Sequence, residues 1–217
     1  MPRGARQPTS VPPLEAGVTQ LVRIAGAIAG ASEQEMRAVM VDALNSVDGF
    51  SVEEIILQSY LFAGFPRALN AARAWRAVSG RPAPRQDPEG GTTDLGSWRT
   101  RGEKTCAVVY GDSYEKLRQN IRDLHPALDE WMIVDGYGKV LSRPGVDLRT
   151  RELCVVAACA VAGQQRQLHS HLHGALNAGA SGEEIGAVLE AIADLVSGDE
   201  LARYRQLLTK VQSGAAS

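Results

Sequence analysis

Residues 153–177, LCVVAACAVAGQQRQLHSHLHGALN, follow the pattern of residues 21–45, LVRIAGAIAGASEQEMRAVMVDALN, at a fixed offset of 132 positions and without a gap. Both segments begin with leucine, carry small apolar residues at helical spacing and end in Ala-Leu-Asn. A Ser-x-Glu-Glu-Ile segment follows each of them, starting at Ser51 in the first copy and at Ser181 in the second. The sequence therefore predicts an internally duplicated chain.

The periodicity of the chain is helical. Apolar residues recur every three to four positions, and no stretch alternates as a strand would. Ser-x-x-Glu capping boxes at Ser32, Ser51 and Ser181 indicate helix starts. The second copy is typical of a helical hairpin, 149–162 and 165–178, which cannot bury its apolar face alone. We therefore predict an all-α fold in which two repeats pack on one another.

Proline and glycine clusters divide the chain. They predict a flexible arm at 1–13 and a linker at 79–93, which leave a degenerate N-terminal repeat at 14–78 and a complete C-terminal domain at 94–211. Residues 212–217 are expected to form a tail. Phe62, Phe65 and Trp75, near the end of the first repeat, are expected in the core.

Composition excludes several classes of protein. With 23 basic and 25 acidic residues among 217, the chain has no electrostatic footprint for nucleic acid or an anionic membrane. No apolar run reaches the roughly 18 residues that a membrane span needs, and residues 1–13 lack the apolar centre of a signal peptide, so we expect a cytoplasmic protein. Three cysteines without a CxxC pair argue against a disulfide framework and a zinc site.

Three of the four histidines lie in one short segment, at 169, 171 and 173. On a helix His169 and His173 share a face, and His171 points the opposite way. We therefore expect no metal site here, and we expect His169 and His173 to face solvent. His171 shares its face with Leu168 and Ala175, which predicts a buried position.

Glu152 is the expected partner of His171. It lies on the preceding helix among apolar residues, where an unpaired carboxylate would be costly to desolvate. A carboxylate facing an imidazole provides a proton relay, but a purely structural hydrogen bond that ties two helices together is an equal alternative. The first copy has Gln20 and Val39 at the matching positions, so at most one site per chain is expected.

Arginines precede Glu152 in the sequence. Arg143 lies in a Pro/Gly turn close to Gly136-Tyr137-Gly138, and arginine forks suit carboxylate substrates. Arg143 and Tyr137 are therefore candidate substrate-binding residues. Asp147 is expected to cap a helix, whereas Arg149 and Arg151 are expected to be solvated.

Taken together, these residues resemble the carboxymuconolactone decarboxylase family, within the alkyl hydroperoxidase D-like superfamily. The resemblance covers most of the chain and is strongest in the second half. It is carried by Val109-Tyr110-Gly111-Asp112, the run from Gly136 to Gly145, Arg149 to Leu153, His171, Gly174 to Gly179, and Glu183-Glu184-Ile185. In the first half it is carried by Ala43-Leu44-Asn45, Glu53-Glu54-Ile55 and the run from Ala63 to Asn70.

The resemblance implies a duplicated all-α bundle and cofactor-free proton chemistry, with no metal, on a small carboxylated lactone or related acid. Decarboxylation needs a cation to hold a carboxylate and an acid to protonate the carbon that remains. Arg143 and His171 would fill those roles, and Glu152 would set the tautomer of His171. The partner implied is a small-molecule substrate.

Two other functions remain open. Peroxide-reducing relatives carry a CxxC pair ahead of the histidine, but here those positions are Gln164 and Gln167, which disfavours peroxidase activity. A catalytically silent helical assembly protein is the other alternative, favoured if Glu152 and His171 lie buried without an adjoining cavity. The resemblance further implies a homotrimer of pseudo-dimers. The wide apolar circumference of helices 14–29 and 149–162 predicts a covering surface of that kind.

Overall fold

The computed structural model describes residues 14–87 and 94–214, and within these ranges the chain is helical and has no strand. The predicted all-α fold is therefore confirmed. In chain order the helices are α1 Ala16–Gly30, α2 Glu33–Ala43, α3 Gly49–Ala63, α4 Phe65–Ser79, α5 Leu95–Tyr110, α6 Tyr114–Leu124, α7 Pro126–Trp131, a π-helix Met132–Leu141, α8 Leu148–Val161, α9 Gln165–Asn177, α10 Gly182–Ala191 and α11 Gly198–Gly214.

The helix bounds follow the 132-residue offset. Shifted by that number, α1 starts where α8 starts and α2 starts where α9 starts. The second hairpin was predicted at 149–162 and 165–178, which agrees with α8 and α9 to within a residue. A common origin of the two halves stays a prediction, since matching helix bounds describe the fold and not its history.

The core lies where α1 packs against α8. Every residue of α8 from Thr150 to Ala160 is buried, and one continuous apolar cluster joins residues of both halves. The two predicted repeats thus share a single core. The apolar circumference of α1 and α8, from which we expected a covering subunit, is largely buried within the chain. That physical argument for an oligomer is removed, and the homotrimer of pseudo-dimers stays a prediction.

The predicted arm at 1–13 lies outside the described residues, as does part of the linker, 88–93. Helix α4 ends at Ser79, where the linker was expected to begin. Helix α11 continues to Gly214, three residues into the predicted tail. None of the described helices is both long and apolar enough to cross a bilayer.

Capping agrees with the sequence at two of the three predicted positions. Ser32 and Ser181 form complete capping boxes with Glu35 and Glu184. The box at Ser51 does not form, because α3 starts three residues earlier than a Ser51 cap requires, and Asp48 accepts the hydrogen bond from the Ser51 backbone N–H at 3.1 Å. An aspartate is as good an N-cap as serine, so the earlier start costs nothing in capping.

The π-helix packs closely on α5 through glycine. A Cβ atom on Gly138 would overlap the backbone carbonyl oxygen of Trp98, and one on Gly102 would overlap that of Ile133. Neither obstacle can move as a side-chain tip would, so only glycine allows the two helices to approach. This contact fixes the π-helix, and with it Tyr137, against α5.

We predict that Gly138→Ala lowers the free energy of unfolding by about 3 kcal/mol or more, because the added methyl group meets backbone. Gly136→Ala is the matched control in the same helix, since the nearest atom to its added Cβ lies 3.9 Å away. Urea denaturation should separate the two variants clearly. Equal stabilities would show that the helices do not approach as described.

Candidate active site

A cavity of about 570 Å³ lies beside His171. Its walls come from α3, α5, α6, α7, the π-helix and α9. Most of the lining surface is apolar, with contributions from Leu61, Phe62, Leu117, Ile121, Leu128, Trp131, Met132 and Leu141. Polar groups enter from Tyr60, Tyr110, Asp135, Tyr137, Arg166, Gln167, Ser170 and His171. An apolar chamber with a few convergent polar groups is the usual form of a small-molecule site.

The structure brings Glu152 and His171 together, as the sequence predicted. Nδ1 of His171 lies 2.8 Å from Oε2 of Glu152, with the glutamate fully buried and the histidine 5% exposed. Gly174, one turn after His171, leaves room for the carboxylate, because a Cβ there would lie 2.7 Å from Oε2. The other oxygen, Oε1, has no hydrogen-bond partner among the described residues. His171 is therefore the hydrogen-bond partner of this buried carboxylate among the described residues.

The two ring nitrogens of His171 have different surroundings. A carboxylate accepts hydrogen bonds, so Nδ1 carries the proton that it donates to Glu152. His171 lines the cavity whereas Glu152 does not, and no described residue forms a hydrogen bond with Nε2. Nε2 is consequently the nitrogen available to a molecule in the cavity. The imidazole of His171 thus lies between the buried carboxylate of Glu152 and the cavity.

Aromatic rings hold the imidazole in place. The rings of Phe62 and Tyr110 approach that of His171 edge to face, with centroids 5.7 and 6.5 Å away. Tyr137 lies behind Tyr110, at 6.2 Å between ring centroids. Phe62 packs against the core as expected and also lines the cavity, Trp75 is buried as expected, and Phe65 is exposed.

The two tyrosines keep their hydroxyl protons over the physiological range. Burial raises the pKa of Tyr110 to about 12 and raises that of Tyr137 well above its usual value. Both residues line the cavity, and a hydrogen bond links their hydroxyl groups, so a bound molecule meets the two tyrosines as a pair. The structure thus places Tyr137 where a substrate-binding residue must be, and the role itself stays a prediction.

Arg143 lies apart from the cavity. Its guanidinium binds Glu54 of α3, with Nη2 2.8 Å from Oε1, and Asp87 of the linker, with Nη2 2.8 Å from Oδ1. The side chain is buried, and these two carboxylates occupy its hydrogen-bonding edge. The predicted role of Arg143 in substrate binding is therefore corrected, because its charge is already neutralised within the fold.

The position of Arg151 also differs from the sequence prediction. It was expected in solvent but is fully buried, with its Nη2 atom 2.7 Å from Oε2 of Glu54. Gln58, one turn after Glu54, accepts a further hydrogen bond from Arg151 at 3.2 Å. Arg149 forms an ion pair with Glu184, and Asp147 caps α8 as predicted. A single carboxylate from the first half thus holds two arginines of the second.

We predict that Glu54→Gln lowers the free energy of unfolding by about 3 to 5 kcal/mol, because it leaves Arg151 buried without a counter-charge. Glu53→Gln is the matched control, since Glu53 itself pairs with the more exposed Arg76 and its substitution should cost at most about 1 kcal/mol. Thermal or urea unfolding of both variants provides the comparison. A loss that is the same in both variants would contradict the assigned network.

His169 and His173 lie together on the other face of α9. Their rings are 5.0 Å apart, His169 is exposed and His173 is partly buried. Partial burial lowers the pKa of His173, and the neighbouring His169 contributes. This face is separate from the Glu152–His171 pair, as the helical spacing predicted.

The cysteines do not offer a reactive thiol. All three are buried, and burial raises the pKa of Cys106 and of Cys159 to about 12 and raises that of Cys154 further above its usual value. Gln164 and Gln167, at the positions where peroxide-reducing relatives have thiols, are exposed at the start of α9. Reduction of peroxides by a thiolate has no suitable group here.

We predict that iodoacetamide at about pH 8 leaves the native thiols unmodified, since a pKa near 12 gives a thiolate fraction of roughly one in ten thousand. All three should be alkylated in concentrated guanidinium chloride. Mass spectrometry of both samples measures this directly. Rapid alkylation of the folded protein would reopen the peroxidase alternative.

Three cavity residues were not predicted as site residues from the sequence: Arg166, Tyr110 and Asp135. The sequence offers a signal for Arg166, because Arg166 lies in the same predicted helix as His171, five residues before it. Ser170, one turn after Arg166, also lines the cavity. The apolar wall from α6 and α7 has no such signal. Its leucines and isoleucine have the spacing of ordinary core residues.

Comparison with known proteins finds similarity over the segment that contains this site. The chain is 27% identical over 135 residues to Peroxisomal protein 2 of Schizosaccharomyces pombe, an alignment that covers 62% of this chain and 63% of that protein. The chain thus spans less than two thirds of the length of this relative. The model of the carboxymuconolactone decarboxylase family matches residues 130–210, which include Tyr137, Glu152 and His171. The similarity of this chain to the carboxymuconolactone decarboxylase family therefore lies in residues 130–210, the segment that contains the site.

Proposed function

We propose that the protein is an enzyme that performs cofactor-free acid/base chemistry, decarboxylation or isomerisation, on a small carboxylated lactone or related acid. The observation that carries this proposal is the position of His171, between a buried carboxylate and an open cavity. A hydrogen bond with a purely structural role would need no cavity beside it. The adjoining cavity likewise favours an enzyme over a silent assembly protein.

The proton moves at Nε2 of His171. In a decarboxylation the ring starts as the imidazolium, protonated on both nitrogens. The carbon–carboxylate bond breaks, its electron pair passes into an adjacent carbonyl as an enolate, carbon dioxide leaves, and Nε2 delivers its proton to the carbon. The neutral ring then takes a proton from water, which restores the imidazolium. In an isomerisation Nε2 takes a proton from one carbon and returns it to another. Glu152 keeps Nδ1 protonated in both cases and stabilises the positive charge of the imidazolium.

Tyr110 and Tyr137 would support the enolate. An enolate oxygen is stabilised by preorganised donors in a site that excludes water. Both tyrosines line the cavity that His171 also lines, and their hydroxyl groups retain their protons because burial raises both pKa values. They are the donors that this chain offers for that charge.

Two further expectations accompany the proposal. A cytoplasmic location and a trimeric assembly stay predictions, derived from composition and from the family resemblance. Thiol-based peroxide reduction is the disfavoured alternative, because the three cysteines are buried and the family's thiol positions are glutamines.

A panel of carboxylated γ-lactones in D₂O, from the unsubstituted compound to hexyl and phenyl derivatives, tests the proposal. Deuterium incorporation by NMR and release of carbon dioxide are the measurements. We predict that His171→Gln lowers turnover by roughly 10² to 10⁴-fold, the usual contribution of a positioned acid or base. His169→Gln and His173→Gln should retain turnover, since both lie on the other face of α9.

Equal losses in all three histidine variants would contradict the role of His171. A variant with serine at all three cysteine positions should retain turnover. If that variant instead lost a hydroperoxide reductase activity present in the unaltered protein, peroxide reduction would replace the proposal.

A further inference from the structure

The cavity wall selects for an apolar molecule. Helix α6 has no buried residue, yet Leu117 and Ile121 from it line the cavity, together with Leu128 and Trp131 of α7. These side chains are partly or largely exposed and line the space beside His171, and Leu117 also packs against the core. A molecule that covers them gains from the burial of apolar surface.

A cation lies in the same wall. Arg166 is exposed, and no carboxylate of the described residues lies within ion-pair distance of it, whereas Arg23, Arg118 and Arg205 each bind one. Asp135 lines the cavity from the π-helix but forms no ion pair with Arg166. The guanidinium of Arg166 is therefore available to an anion from outside the protein.

The start of α9 favours the same kind of ligand. Gln164, at its N-cap, makes no side-chain hydrogen bond to the helix, and the first turn contains no acidic residue. Helices α2 and α10 begin with a serine cap and two glutamates instead. The uncapped N–H groups and the positive end of the α9 dipole thus add to the charge of Arg166.

We propose that the substrate is an amphipathic acid, whose carboxylate binds Arg166 at the start of α9 and whose apolar body fills the cavity. This inference rests on the proposed function and narrows its substrate class. Arg166 takes the role that the sequence suggested for Arg143. It is a specificity-determining residue, separate from the proton transfer at His171.

Arg166, which binds the carboxylate, and His171, which transfers the proton, lie at different positions on α9. Five residues of α-helix rise about 7.5 Å along the axis and turn about 140° around it, so the side chains of Arg166 and His171 leave the helix at different heights and in different directions. We therefore expect the anchored carboxylate to be separate from the carbon that reacts. The substrate either undergoes a proton shift or loses a second carboxylate near His171.

Calorimetric titration with three probes, octanoate, 1-octanol and acetate, tests the inference without turnover. Octanoate should bind at least about tenfold more tightly than 1-octanol, the usual scale of a charge-assisted contact, and acetate should not bind measurably. Arg166→Gln should weaken octanoate about tenfold and leave 1-octanol unchanged. Ile121→Glu, on a helix without buried residues, should abolish binding of both.

Arg203→Gln is the matched control. Arg203 lies in the adjoining groove, which shares Arg166 and Ser170 with the cavity but not its apolar wall. Octanoate affinity should not change in this variant. Equal affinity for octanoate and 1-octanol, or an equal loss in the Arg166 and Arg203 variants, would overturn the inference. Either result would leave the deuterium-exchange test of His171 unaffected, so the two proposals can fail separately.

Discussion

Two adjacent charged side chains on a helix buried on all sides constrain this structure. Arg151 and Glu152 of α8 are both fully buried, so each must find a partner within the fold. Arg151 binds Glu54 of α3, and Glu152 binds His171 of α9. The first contact joins the two halves of the chain, and the second builds the candidate active site. The need to pair these two buried charges of α8 thus constrains the positions of α3 and α9.

The first half supports the site although it lacks one of its own. At the positions that match Glu152 and His171 it has Gln20, whose side-chain oxygen has no hydrogen-bond partner among the described residues, and the buried Val39. Yet α3 supplies Glu54 to the ion-pair network and Phe62 to the wall beside His171. The first half therefore acts as a scaffold for the site in the second half.

Local signals made much of this structure predictable. Helical periodicity, the capping serines and the opposite faces of His169 and His171 depend on residues within a turn or two, and they were correct except at Ser51. The Glu152–His171 pair was predictable because both lie on one hairpin. Arg143 and Arg151 were not, since their partner Glu54 is about 90 residues away in the chain. The cavity wall was equally hidden, because Leu117 and Ile121 have the spacing of core residues.

The central claim is that His171 donates Nδ1–H to Glu152 and presents Nε2 to the cavity. Long-range proton–nitrogen correlation spectra of the histidine side chains, assigned with His171→Gln, test it most directly. The account predicts a proton on Nδ1 and a change in the Nε2 resonance when octanoate fills the cavity. A ring with Nδ1 unprotonated, or an Nε2 resonance that does not respond to the filled cavity, would contradict it.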